Sequence, residues 1–301
     1  LMAWGLFKKM VIADRANIFV SEVFGDYQKY SGSIILLGGV LYTLQIYAEF
    51  SGCMDIVTGS AELFGVPLSQ NFSRPFFSKS VAEFWRRWHI TLGAWLRDYV
   101  FYSVSLSKPF MKLSRFAKEH LNEFLGSLIP ASFAMFFTWF GIGFWHGAGV
   151  KYIIYGLYYY AVMMLGMYLE PLFARAFNAA HINRNSKPLN ALRILRTLIL
   201  VVCGMTLFRA ETVGIWLGMI KRVFTGFGGG TFLNDALLCG MDKQDFLIVI
   251  LGAAVMLVIS TLQEKGINVR DTLAKQVLPV RWTVYICLVL SVIIFGAYGI
   301  G

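Results

Sequence analysis

Charged residues are scarce in this sequence. Asp, Glu, Lys and Arg make up 15% of 301 residues, where soluble domains carry about 25%. With 57% hydrophobic residues and a mean hydropathy of +0.62, the composition excludes a soluble globular protein and points to a polytopic membrane protein. Cysteine is sparse as well. Cys53, Cys203, Cys239 and Cys287 are widely separated, which gives no support for a disulfide framework or a zinc site, and no metal is expected. There is no G-x-S-x-G elbow and no evident Ser/His/Asp ordering, so serine-hydrolase chemistry has no foothold. Internal repeats, low-complexity tracts and breaks that would mark a second domain are also lacking. The chain begins at Leu1, without a start methionine or a basic–apolar–small signal pattern, and reads as a fragment of a longer protein.

What is present is a series of charge-free runs near the ~20 residues a spanning helix needs. They are Ser31–Ala48, 126–150, Tyr152–Leu169, Phe246–Gln263 and Trp282–Gly301. A shorter run, Thr197–Phe208, spans if Arg196 and Arg209 snorkel to the interfaces. The net charge of +10 does not imply nucleic acid, because basic residues of membrane proteins gather in cytoplasmic loops. Loops 104–125, 171–196 and 264–281 are basic and read as cytoplasmic, so 126–150 runs outward, with His146 toward its outer half. The direction of 31–48 stays open. Lys8, Lys9 and Arg15 among apolar residues suggest an interfacial helix at the start, and 211–225 looks similar; both equally fit amphipathic connectors packed on the protein.

His146 is the most informative residue. It lies in a run without Asp, Glu, Lys or Arg, follows Trp145, and has Gly141, Gly143, Gly147 and Gly149 around it. An ionisable side chain at membrane depth is a functional candidate by default, and glycines permit close approach of a backbone or ligand. A second constellation, FWRRWHITLGAWLRDYVFYS at 84–103, is too charged for a lipid-facing span. Its periodicity predicts a helix with Trp85, Trp88, His89, Leu92, Leu96 and Tyr99 on one face. Arg86 then superimposes on Arg97, and Arg87 on Asp98. Such a helix suits a re-entrant or protein-buried position. Equally, the arginines could be interfacial anchors and His89 a hydrogen-bonded core residue.

Neutral imidazole suits taking a proton from an alcohol and returning one to a leaving group. The simplest chemistry is direct acyl transfer, with an oxyanion donor from Trp145 or a backbone N–H. Two rivals stay open at this point: His89 and His146 as axial ligands of one haem, and a transporter with broken, glycine-containing helices. His120 and His181 lie in polar loops and receive no role. Asp98 and Glu49 could orient a histidine or pair with Arg87 or Arg97, and a plain ion pair is the simpler reading.

Three motifs resemble the membrane-bound O-acyltransferases (MBOAT), in particular the bacterial branch with AlgI-like alginate O-acetylating and DltB-like D-alanylating members. The first is YAEFSGCMDIVTGSAELFGVPLSQNFSRPF, residues 47–76, where Glu49 replaces the usual aspartate and Asp55 matches. The second is FWRRWHITLGAWLRDYVF, residues 84–101, and the third is GFWHG, residues 143–147. GLFKK at 5–9 with Ala13-Asp14, LFRAE at 207–211 and FGAYG at 295–299 extend the likeness along the chain. The family is usually longer at its N-terminus.

The resemblance implies a single membrane-embedded O-acyltransferase domain over 1–301. It would be an all-α fold of transmembrane, re-entrant and interfacial helices around a central tunnel. His146 is implied as the catalytic histidine and His89 as the second family histidine, with Trp145, Gly147, Trp88, Arg87, Arg97, Asp98, Glu49 and Asp55 lining the tunnel or supporting. WRRWH and LFRAE favour the polysaccharide-acetylating branch; D-alanyl transfer to teichoic acid is the alternative. YSVSLSKP at 102–109 departs from the family's I-P-L-G-G.

The implied setting is a multi-pass protein of the bacterial cytoplasmic membrane that passes acetyl toward an exported polysaccharide. It would have no tightly bound cofactor, an acetyl-CoA or carrier-bound thioester donor, an extracytoplasmic acyltransferase partner and no nucleic-acid partner.

Overall fold

A computed structural model describes residues 1–228 and 232–298; Gly299–Gly301, the end of the 282–301 run and of FGAYG, lie outside the described residues. Among the described residues the regular structure is helical, with no extended strand. In chain order the α-helices are α1 (Met2–Leu6), α2 (Asp14–Gly25), α3 (Gly32–Leu63), α4 (Val81–Arg87), α5 (Ile90–Leu96), α6 (Tyr102–Ser105), α7 (Lys108–His120) and α8 (Glu123–His146). They continue as α9 (Val150–Ala179), α10 (Lys187–Arg209), α11 (Val213–Thr225), α12 (Phe232–Leu237), α13 (Lys243–Glu264), α14 (Val269–Ala274) and α15 (Leu278–Phe295). π-helical segments occupy Phe7–Ala13 and Arg97–Phe101.

Among the described residues, six helices are long and apolar enough to cross a membrane: α3, α8, α9, α10, α13 and α15. They coincide with the six apolar runs of the sequence, so the chain is an all-helical, multi-pass membrane protein. Two boundaries differ from the sequence expectation. α3 continues 15 residues past Ala48, because its second half keeps its charges in ion pairs, Glu49 and Asp55 with the N-terminal segment and Glu62 with Arg270. α10 begins at Lys187, so the 171–196 loop shrinks to 180–186.

The chain forms two compact units, residues 1–74 with 214–301, and residues 75–213. In the first, the N-terminal segment is packed into the protein: Val11, Ile12, Ala13, Phe19, Val20 and Val23 are all but inaccessible. Gly5 and Gly52 meet backbone to backbone, so that a Cβ on Gly52 would lie 2.8 Å from the Gly5 carbonyl oxygen. That approach brings Lys8, itself buried, to Asp55 at 2.7 Å and Ser51 Oγ at 2.9 Å, and Lys9 to Glu49 at 2.7 Å and Asp14 at 2.6 Å. Burial pulls the Lys8 ammonium below its usual pKa, against the opposing attraction of Asp55.

The π turn leaves Met10 O available, and it accepts from Ala297 N at 2.9 Å. Arg15 binds Asp245 on α13 and the Phe295 carbonyl. α11 is anchored through the fully buried Met219 and, just after its end, by Gly32 N donating to Gly226 O at 2.6 Å, while Leu217 and Phe224 stay exposed. GLFKK, the 47–55 block and residues 295–298 are therefore parts of one assembly.

Candidate functional site

The second unit holds WRRWH, GFWHG and LFRAE. The expected continuous helix over 84–103 is broken. α4 starts at a Ser80 cap that accepts from Glu83 N, then ends at Arg87, and α5 restarts after His89, whose backbone is left-handed at φ +47°. A non-glycine residue there costs about 1–2 kcal/mol, although histidine tolerates it better than most residues. The break defeats the expected superpositions. Arg87 instead pairs with Glu83 at 2.7 Å, and Arg97 pairs with its exposed neighbour Asp98 at 2.9 Å. Trp88 is buried and stacks on Phe84, with ring centroids 5.4 Å apart, so it anchors the break.

The left-handed turn delivers His89 to Trp145: their rings meet edge-on at 5.9 Å, and Trp145 is edge-on to His146 at 4.7 Å. Both histidines thus border one half-exposed indole. His146 is the last residue of α8. The following Gly147 has φ +149°, and a Cβ there would lie 2.9 Å from the Tyr152 ring, so this turn favours glycine on two counts.

Tyr155 at 5.8 Å and Phe208 at 4.9 Å complete the aromatic surround of His146, with Tyr152 at 6.4 Å. Behind them Trp85, Trp139, Tyr155 and Tyr159 pack edge to face. Among the described residues the His146 imidazole has ring contacts and no hydrogen-bond partner. Burial holds the His89 pKa below the usual imidazole value, favouring its neutral form.

Of the four glycines around His146, two are required. Gly143 meets the α9 backbone, and Gly147 meets Tyr152, whereas Gly141 has nothing within 4 Å and Gly149 only ordinary contacts. Gly143 therefore closes a helix crossing. Glu49 and Asp55 lie in the first unit, where Lys9 and Lys8 hold them. His120, against Phe116, and His181 are both exposed.

Sequence reasoning missed Tyr152, Tyr155, Phe208 and Lys151. Lys151 Nζ donates to Ala210 O at 3.0 Å and lies 4.8 Å from the Tyr152 ring centre. It thereby satisfies a carbonyl at the end of α10 and fixes Phe208 against His146. The available signal was LFRAE itself, which contains Phe208.

Such a site, two histidines meeting at one tryptophan inside an aromatic wall, sits in a multi-pass helical membrane protein. The model of the membrane-bound O-acyltransferase family matches residues 26–205, and the chain belongs to that family. It is 34% identical over 249 residues to a probable alginate O-acetylase AlgI of Pseudomonas aeruginosa, covering 82% of this chain and 42% of that protein. It is 29% identical over 243 residues to a peptidoglycan O-acetyltransferase of Helicobacter pylori, covering 80% and 40%. Over 146 residues it is 30% identical to a teichoic acid D-alanyltransferase of Bacillus subtilis, covering 48% and 33%. The chain spans about two-fifths of the length of the O-acetylating relatives.

Proposed function

We propose that the protein containing this chain is an O-acetyltransferase of the bacterial cytoplasmic membrane that passes acetyl from a cytoplasmic thioester toward an exported or cell-surface polysaccharide. The observation that carries the reading is His146, ending its helix with no internal hydrogen bond and with His89 across the shared Trp145. His146 takes the proton of the acceptor hydroxyl as its oxygen attacks the thioester carbonyl. The tetrahedral oxyanion collapses, the C–S bond breaks, and the imidazolium returns the proton to the leaving thiolate, giving ester and thiol. Neutral His89 assists as a second base or hydrogen-bond partner, and the aromatic wall excludes water that would hydrolyse the donor.

Acetyl transfer is favoured over D-alanyl transfer because the O-acetylating relatives align over four-fifths of this chain and the D-alanyltransferase over half. Acetyl-CoA or an acyl carrier is the donor class, reaching His146 through the tunnel the family likeness implies, and an extracytoplasmic acyltransferase is the receiving partner. Inside-out vesicles carrying the full-length protein test this with labelled acetyl-CoA. Label should reach the lumenal acceptor with wild type and not with His146→Ala. Equal transfer by both would overturn the assignment, and a Soret band in the purified protein would revive haem ligation.

A further inference from the structure

A cavity of about 520 Å³ opens between the end of α9 and the start of α10, away from His146. Its volume is that of a small-ligand site. Lys79, Arg184, Arg193 and Arg196 border it, with Glu170 the one acidic lining residue. Glu170 is already taken by Arg184. Arg193 and Arg196 donate to backbone carbonyls, of Arg184 at 3.2 Å and Lys79 at 3.0 Å, and not to carboxylates. Those bonds aim two guanidinium groups at the cavity rim while leaving their charge uncompensated within the described residues. The walls are apolar: Phe173 and Phe177 come from α9 and Leu192 from α10, and Phe173 and Leu192 are exposed on their spans.

We infer that this cavity binds the phosphate of an anionic phospholipid, with Arg193, Arg196 and Lys79 on the headgroup and the acyl chains along Phe173 and Leu192. A cationic rim above an apolar wall between two spans is the arrangement that recognises acidic lipid at an interface. Arginine suits the task because its planar fork binds two phosphate oxygens at once. Depth agrees. Phe173 lies 21 residues along α9 from Tyr152, beside His146, which is ~32 Å at 1.5 Å per residue and matches a hydrocarbon core of about 30 Å. The same span argues against the phosphates of a soluble thioester donor, since a phosphopantetheine arm anchored here would fall short of His146. The inference does not depend on the acyl-transfer reading.

The test uses the full-length protein purified into nanodiscs of phosphatidylcholine alone or with phosphatidylglycerol, measuring lipid retained after detergent washing. Wild type should retain phosphatidylglycerol selectively. Lys79→Gln should weaken retention about fivefold, the ~1 kcal/mol a basic residue contributes at an anionic surface, and Arg193→Gln with Arg196→Gln about twentyfold. Arg193→Lys with Arg196→Lys should recover much of it, and Arg175→Gln, outside the cavity, should change nothing. Equal retention by wild type and Lys79→Gln would overturn the assignment. So would displacement of the lipid by coenzyme A with the same variants losing coenzyme A binding, which would give the phosphate to a soluble carrier.

Discussion

Replacing Gly143 by alanine should weaken the protein, whereas the same change two residues earlier, at Gly141, should not. A Cβ on Gly143 would lie 2.5 Å from the Tyr152 carbonyl oxygen, 2.9 Å from Ile153 Cα and 3.1 Å from the Tyr152 carbonyl carbon. All three are backbone atoms, so no rotamer change relieves the clash and α9 must move away from α8. Overpacking of this kind costs about 1–3 kcal/mol. At Gly141 nothing lies within 4 Å, and alanine gains roughly 0.5–1 kcal/mol of helix stability. The two variants should therefore differ by roughly 1.5–4 kcal/mol.

The displacement also acts on the site, because Tyr152 is carried by the stretch of α9 that must move and His146 follows Gly143 by one turn. Thermal unfolding of the purified full-length protein, read beside acetyl transfer at a temperature where both variants are folded, checks both effects. Gly143→Ala should melt lower and lose activity. Equal melting of the two variants would refute the argued α8–α9 contact.

Asp55→Asn should destabilise by about 3–5 kcal/mol, because it strands the buried Lys8 ammonium, and Lys8→Met together with Asp55→Leu should recover most of the loss; additive losses in the melting curves would count against the pairing. His89 gives a pH signature. Its folded pKa is lowered by burial, so the unfolded chain binds more protons in acid; the associated stability is complete above about pH 6.5 and falls as pH drops below it. His89→Gln should flatten that limb in unfolding measured across it, and parallel curves would contradict the buried setting. Lys151→Met should lower activity through Phe208 with little effect on folding, and unchanged turnover would detach Phe208 from the site.

The six spans were legible because a charge-free run of bilayer length is rarely anything but a spanning helix. The break at His89 was not. The stripe from Trp85 through Trp88 to Leu92 and Leu96 keeps helical spacing across a left-handed residue, and periodicity is blind to one backbone dihedral. Gly141 and Gly143 look alike in sequence; only the partner helix separates a required glycine from an incidental one. The second half of α3 was hidden for a related reason. Glu49 and Asp55 look like the end of a span, yet Lys9 and Lys8 carry those charges inside the first unit. Phe208 and Tyr155 reach His146 from distant segments, and no local pattern announces that meeting. Of the two, only Phe208 falls within a family-like motif, LFRAE.

The most direct test of the central claim is the acetyl content of the exported glycan in cells expressing the full-length protein as wild type, His146→Ala or His89→Ala, at matched membrane levels and with insertion verified. Acetyl should disappear in His146→Ala and fall in His89→Ala. Wild-type acetylation in His146→Ala would contradict the account.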